Sequence, residues 1–134
     1  MATAGTRGWG CLLKKGGTTG TTVAEVVSID GPGIDRGMVD LSNMDSASGW
    51  KEYAGGMIDP GQITCELNFL PGNTTHTALK ADLTATATSY ALVFNDAATT
   101  AWTFNALVQS LSPSASAEDK LGATVTFQLT GAIT

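Results

Sequence analysis

Charge is scarce in this chain: Asp, Glu, Lys and Arg together make up 14% of its 134 residues. The surface of a well-behaved monomer is about 25–35% charged, so a surface this poor in charge is expected to be largely covered by something. Cations are the scarcer sign. Seven basic residues stand against twelve acidic ones, a formal net charge of −5, and apart from Lys14-Lys15 they are scattered. That excludes a protein built to grip nucleic acid, which takes clustered Lys and Arg. One histidine, His76, and two cysteines, Cys11 and Cys65, are too few for a metal centre or for an oriented base beside a nucleophile. No catalytic, cofactor-binding or metal-binding set can be drawn, and the chain is read as no enzyme. No apolar run approaches the roughly 20 residues of a membrane-spanning helix, and Met1 to Gly10 hold no apolar leader. A soluble protein made in a cytosol, without a membrane anchor, is expected. In that setting Cys11 and Cys65 are expected to be free buried thiols, and the Asn73-Thr74-Thr75 sequon to carry no glycan.

What is present points to β structure. The chain carries 16 glycines and 43% hydrophobic residues with a heavy load of threonine, while the helix formers Glu, Lys and Gln are sparse. Its length suits a single domain with one core. In the last third, Trp102, Phe104, Ala106 and Val108 fall on one strand face with Thr103, Asn105 and Gln109 on the other, and Leu107 and Leu111 interrupt the polar side. Leu121, Ala123, Val125, Phe127 and Leu129 then alternate strictly with Gly122, Thr124, Thr126, Gln128 and Thr130. Such strands have one dry face and one wet, uncharged face. The connector from Ser112 to Asp119 reads as a turn, with Pro113 stopping both strands.

Upstream, 1–20 is small, polar and glycine-rich with isolated anchors at Trp9, Leu12 and Leu13, and reads as an extended N-terminal arm that docks on something else. Thr21 to Ile29 is a strand that ends at the turn Asp30-Gly31-Pro32-Gly33. Ile34 to Leu41 is a second strand whose apolar parity changes midway, which a bulge at Gly37 reconciles. Residues 43–61 show no sustained period and read as a long projecting loop carrying Trp50, Tyr53, Met57 and Ile58. Gln62 to Phe69 alternates cleanly. Thr74 to about Ala85 is the one helix, capped by Thr74 or Thr75, with Leu79 and Leu83 on its apolar face. Ser89 to Phe94 is another strand.

Three segments suggest chemistry and lose it on inspection. Gly16-Gly17-Thr18-Thr19-Gly20-Thr21-Thr22 lacks the lysine of a phosphate-cradling loop and precedes a strand instead of a helix, so it reads as a hinge. Glu118-Asp119 are adjacent on a turn and point apart, unlike a facing acid and base. His76 reads as an ordinary surface or half-buried residue.

The order arm, strand, turn, strand, long loop, strand, helix and three closing strands carries a family likeness. Its most specific wording is Trp102-Thr103-Phe104-Asn105-Ala106-Leu107-Val108-Gln109-Ser110, then Ser112-Pro113-Ser114-Ala115, then Val125-Thr126-Phe127-Gln128-Leu129-Thr130-Gly131-Ala132. In these features the chain resembles the tail tube proteins, or major tail proteins, of long-tailed, lambda-like bacteriophages. The resemblance implies a mainly β fold, a small β-sandwich or partial barrel with one flanking α-helix. It implies one tail-tube domain over 1–134, with an arm at 1–20, an inter-ring loop at 43–61 and no C-terminal immunoglobulin-like domain.

It further implies a structural virion protein whose subunits join edge to edge into hexameric rings, stacked into a hollow tail for DNA. Its partners would be itself, the tape measure protein and tail tip or terminator proteins, with DNA touched only in transit and without specificity. The place would be the virion tail, assembled in the host cytoplasm. By the same analogy Asp35, Asp40, Glu66, Asn68 and Gln109 are candidates for the channel wall. Trp9, Leu12, Leu13, Trp50, Tyr53, Met57 and Ile58 are candidates for ring stacking. A tube protein of a phage-derived secretion or bacteriocin apparatus shares this architecture. A monomeric carbohydrate-binding β-sandwich is the rival from another class, with Trp50 and Tyr53 the only local aromatic pair to serve it.

Overall fold

The computed structural model describes residues 8–134, so 1–7, the beginning of the expected arm, lie outside the described residues. The elements in chain order are β1 (Leu12–Lys15), β2 (Thr21–Thr22), β3 (Val26–Asp30), β4 (Asp35–Asp40), β5 (Tyr53–Asp59), β6 (Gln62–Asn68), α1 (Thr74–Asp82), β7 (Thr88–Val93), β8 (Ala101–Ser114) and β9 (Gly122–Thr130). Seven strands form one antiparallel sheet in the order β2-β1-β7-β8-β9-β6-β3, and β4 with β5 form a separate two-stranded sheet.

Connectivity forces the large sheet to curl. Its two edge strands, β2 and β3, are neighbours in sequence, with Val23, Ala24 and Glu25 between them. Four residue steps from Thr22 to Val26 reach at most about 14 Å. The edges of a flat seven-stranded sheet would stand about 29 Å apart. The sheet therefore bends round until its edges approach, giving the partial-barrel form of a β-sandwich.

The concave side is the core. Ile63, Cys65 and Leu67 of β6, Ala123, Val125, Phe127 and Leu129 of β9, and Phe104, Ala106 and Val108 of β8 are all buried. These are the apolar positions of the alternating pattern, and each large side chain removed from water contributes about 1.5–3 kcal/mol. Tyr90 of β7 meets Phe127 of β9 edge to face, ring centroids 5.1 Å apart. A register shift between Val108 and Ser110 makes Gln109 a bulge. Beyond it the parity of β8 reverses, which turns Leu111 toward the core instead of the polar side.

The helix lies against β8 and against the link between the two edge strands. Its cap is Asn73, whose side chain accepts from the Thr75 N–H, rather than Thr74 or Thr75, and it stops at Asp82, leaving Leu83 exposed. His76 is fully buried, against expectation: the Leu70 N–H donates to Nδ1 at 3.0 Å and Nε2 lies 2.7 Å from the Ala24 carbonyl. That pattern places the proton on Nε2 and ties α1 to the β2–β3 link. At the other end of the helix Asp82 pairs with Lys15 of β1 at 2.9 Å and accepts from the Tyr90 hydroxyl at 2.5 Å. Burial, then the neighbouring Asp82, raises the Tyr90 phenol above its ordinary value.

Several expectations are corrected by pairing that a single-strand reading cannot see. Within the expected arm, Leu12–Lys15 is β1, paired with β7, because four residues sufficed once a partner edge existed. The strand expected over Thr21 to Ile29 breaks at Glu25, whose φ is 58°, and its halves become opposite edges. The expected loop at 43–61 contains β5, paired with β4. Pro113 does not stop β8, which continues to Ser114. Past Ala106 β7 no longer pairs with β8, and a proline without an N–H is tolerated on such an open edge.

Candidate functional site

The convex face of β6, β9 and the far half of β8 is a wall mostly of hydroxyls and amides, with Leu107 exposed beside Gln128. In register across it stand Gln62 with Gln128, Thr64 with Thr126 and Ser110, and Glu66 with Thr124 and Ser112. Glu66 is the one carboxylate on these three strands, which hold no Lys, Arg or His. The same alternation that fills the core dictates this face, since every second residue must point away. The structure brings three of the expected wall residues together here: Glu66 and Asn68 on β6, and Gln109, whose side-chain oxygen accepts from Gln62 Nε2 at 2.8 Å. Asn68 Nδ2 also donates to the Glu25 carboxylate at 3.1 Å.

Asp35 and Asp40 are not on this wall. They lie on β4 in the separate sheet, where Asp35 faces Asp59 and Asp40 faces Tyr53. Asp40 accepts from the Ser42 N–H at 2.9 Å, and bonding to Ser42 holds its carboxyl below the ordinary value. Gln62 and Gln128 are wall residues missing from the expected set. Their places in the alternation of β6 and β9 marked them.

Two stretches of backbone flank the wall unpaired by any described strand: the outer edge of β3, and the side of β8 beyond Ala106 that faces away from β9. Val27 bulges from β3, between Val26 and Ser28, and is exposed. Open edges of this kind are templates for another chain's strand.

From the Asp30 and Gln62 end of the sheet projects the β4–β5 hairpin. Met57 and Gly56 together face Gly37, so an irregularity does fall at Gly37, but the extra residue is on β5 and not on β4, whose own parity it leaves unshifted. Gly56 is required there, because a Cβ would stand 2.9 Å from the Gly37 carbonyl. All six residues of β4 are exposed, and so are Trp50, Tyr53, Met57 and Ile58 of the expected stacking set. Trp9 and Leu12 are exposed too, Trp9 through its side chain while its carbonyl accepts from Asn95 Nδ2 at 2.6 Å. Leu13 departs from the expectation: at 2% exposure it belongs to the core.

Burial pushes the Cys65 thiol up to about 12, so at neutral pH it stays a protonated core residue, and Cys11 is half-buried and free. Among the described residues no group of three His, Cys, Asp or Glu stands close enough to hold a metal ion. No described helix is long and apolar enough to cross a membrane.

Comparison with known proteins places these features. The model of a family described as the lambda phage tail tube protein matches residues 18–134. Among solved structures, a chain from the tail of an empty gene transfer agent particle, refined with helical and C6 symmetry, superposes with a TM-score of 0.80 at 17% identity, over 97% of this chain and 98% of that one. A chain from the sheath/tube terminator of an extracellular contractile injection system gives a TM-score of 0.75 at 16% identity, over 100% and 98%. One from the tube-terminating cap of the anti-feeding prophage gives 0.74 at 16%, over 100% and 92%. At such identities the likeness is one of fold. No curated protein matches the sequence.

Proposed function

The chain belongs to the lambda phage tail tube protein family, and from that membership we propose that it is the repeating structural subunit of a hollow phage tail, built as hexameric rings stacked end to end, through which genomic DNA passes. The observation that carries this reading is the polar wall bounded by two open strand edges. Pairing β3 of one subunit with the free side of β8 in the next covers both edges and joins β3, β6, β9 and β8 into a continuous cylinder. Six subunits supply twenty-four strands, a circumference of about 115 Å. With side chains lining it, the bore is roughly 27 Å before strand tilt widens it.

The wall suits passage rather than capture. Hydroxyls and amides with a single carboxylate per subunit offer phosphates no cation, and a net charge of −5 per chain gives roughly −30 per ring, which repels them. The role is structural, without catalysis, and the whole of 1–134 serves as one tube domain. The β4–β5 hairpin is the stacking element, with Trp50, Tyr53, Met57 and Ile58 meeting the adjacent ring. Trp9 and Leu12 form a second contact. Tape measure, terminator and tip proteins complete the tail, assembled in the host cytoplasm and carried in the virion.

A tube of a contractile injection apparatus is the second reading, favoured by the fold likeness to such assemblies. Electron microscopy of the purified protein tests the proposal. Rings and tubes are expected, and a compact monomer at every concentration refutes it. Deleting Ser48 to Gly56 should leave a folded subunit that forms no stacks.

A further inference from the structure

The hairpin is rooted in backbone, not in side chains. One leg is Gly31-Pro32-Gly33 and the other Pro60-Gly61. A Cβ on Gly61 would stand 2.4 Å from the Gly33 carbonyl, and one on Gly31 2.4 Å from the Gln62 carbonyl. Beside this root lies an apolar cleft of about 360 Å³ lined by Ile34, Ile58, Pro60 and Gly131 to Ile133, so side-chain packing does not fill the space against the sheet there.

Polar contacts do reach the root. The Gly61 carbonyl accepts from the Leu129 N–H and from Gln128 Nε2, both at 3.1 Å. Gln128 Oε1 accepts in turn from Gln62 Nε2 at 3.0 Å, which also donates to Gln109 Oε1 at 2.8 Å. Gln128 Nε2 places its second hydrogen on the Leu129 carbonyl at 3.2 Å. Both amide hydrogens of Gln62 and both of Gln128 are thus committed inside the protein, whereas a surface glutamine ordinarily spends them on water. The run of bonds crosses β8, β6 and β9 and ends on the root.

We propose that Gln62, Gln109 and Gln128 form an amide joint that fixes the direction of the β4–β5 hairpin relative to the wall, with Gln128 the positioning residue that holds Gly61. Resting on the stacking role given to the hairpin, the joint makes six hairpins of one ring point alike, so that they engage the next ring together. Removing it frees the angle while leaving the core and the hairpin ladder intact.

Spin labels read the angle directly. Cysteines introduced at Met44 on the hairpin tip and Ser116 at the far end of the sheet, with Cys11→Ser and the buried Cys65 left in place, give a pair whose distance distribution follows hairpin direction. Labelled protein diluted in unlabelled protein reports intramolecular pairs only. The wild type should give one narrow distribution, and Gln128→Met a clearly broader one, with a melting midpoint within about 3 °C of wild type. Gln62→Met, which touches no backbone group, should broaden it less. Tubes grown from Gln128→Met should be shorter than wild-type tubes. Distributions as narrow as wild type in both variants overturn the joint. A wild type that forms no rings overturns the stacking role instead, and leaves the distance measurement to decide the joint alone.

Discussion

The curled sheet and the β4–β5 hairpin are both antiparallel β structure, yet they solve the burial problem in opposite ways. In the sheet, apolar residues of β6, β8 and β9 face one another across a closed core. In the hairpin, Met38, Val39, Met57 and Ile58 are all exposed, and two strands alone are marginal in water. The core of the sheet closes within one chain, whereas the hairpin leaves its apolar side chains exposed, and in the proposed tube an adjacent ring would cover them. In the proposed tube the low charge would reflect a surface divided among neighbours.

Substitutions should separate the two regions by size and by readout. Phe127→Ala, at the centre of the core, should cost about 3–5 kcal/mol in urea unfolding. His76→Ala strands the Leu70 N–H and the Ala24 carbonyl, and should cost about 2–4 kcal/mol by the same measurement. Asp82→Ala leaves Lys15 and Tyr90 without their shared partner and should cost about 2 kcal/mol. Met57→Ser should change unfolding by less than about 0.5 kcal/mol, while tube yield in electron micrographs falls sharply. If it lowers stability as much as the core variants do, the contrast between the regions is lost.

The smallest effect is acid-dependent and lies in the turn before β8. The side-chain bond from Thr100, then its backbone N–H, holds the Asp96 carboxyl below its ordinary value. A depressed folded value means the contribution is present above about pH 4 and fades as pH falls through the folded value. Asp96→Asn should therefore lose slightly less stability than wild type between neutral and acid pH, read from thermal melts.

Legibility in the sequence followed the physics of each element. Gln62 to Asn68 and Gly122 to Thr130 were plain because one face is dry and the other wet, which imprints period two. The parity change in β4 pointed to a bulge at Gly37, but the extra residue lies opposite it on β5, where no alternation marked it. β5 was hidden because Gly55 and Gly56 carry no side chain and both of its faces are solvated, so no alternation was required of it. β1 is too short to show a period, and Leu13 is buried only because β7, some 80 residues later, lies beside it. His76 looked ordinary because its two partners are backbone groups. Alternation put Glu66, Asn68 and Gln109 on polar strand faces and only the family likeness suggested a channel wall, while the alliance of Gln62 with Gln109 and Gln128 depends on strand order.

Strand order also sets a timetable. β9 lies between β8 and β6, and it is synthesised after both. Until it leaves the ribosome, β6 waits from residue 62 and β8 from residue 101 with facing edges bare, and Phe127, the partner of the Tyr90 ring, does not yet exist in the chain. Each nascent chain thus passes through an interval with more unpaired edges than the finished one. Long-range pairing of this kind folds slowly and is prone to aggregation. Slow insertion of β9 would lengthen that interval.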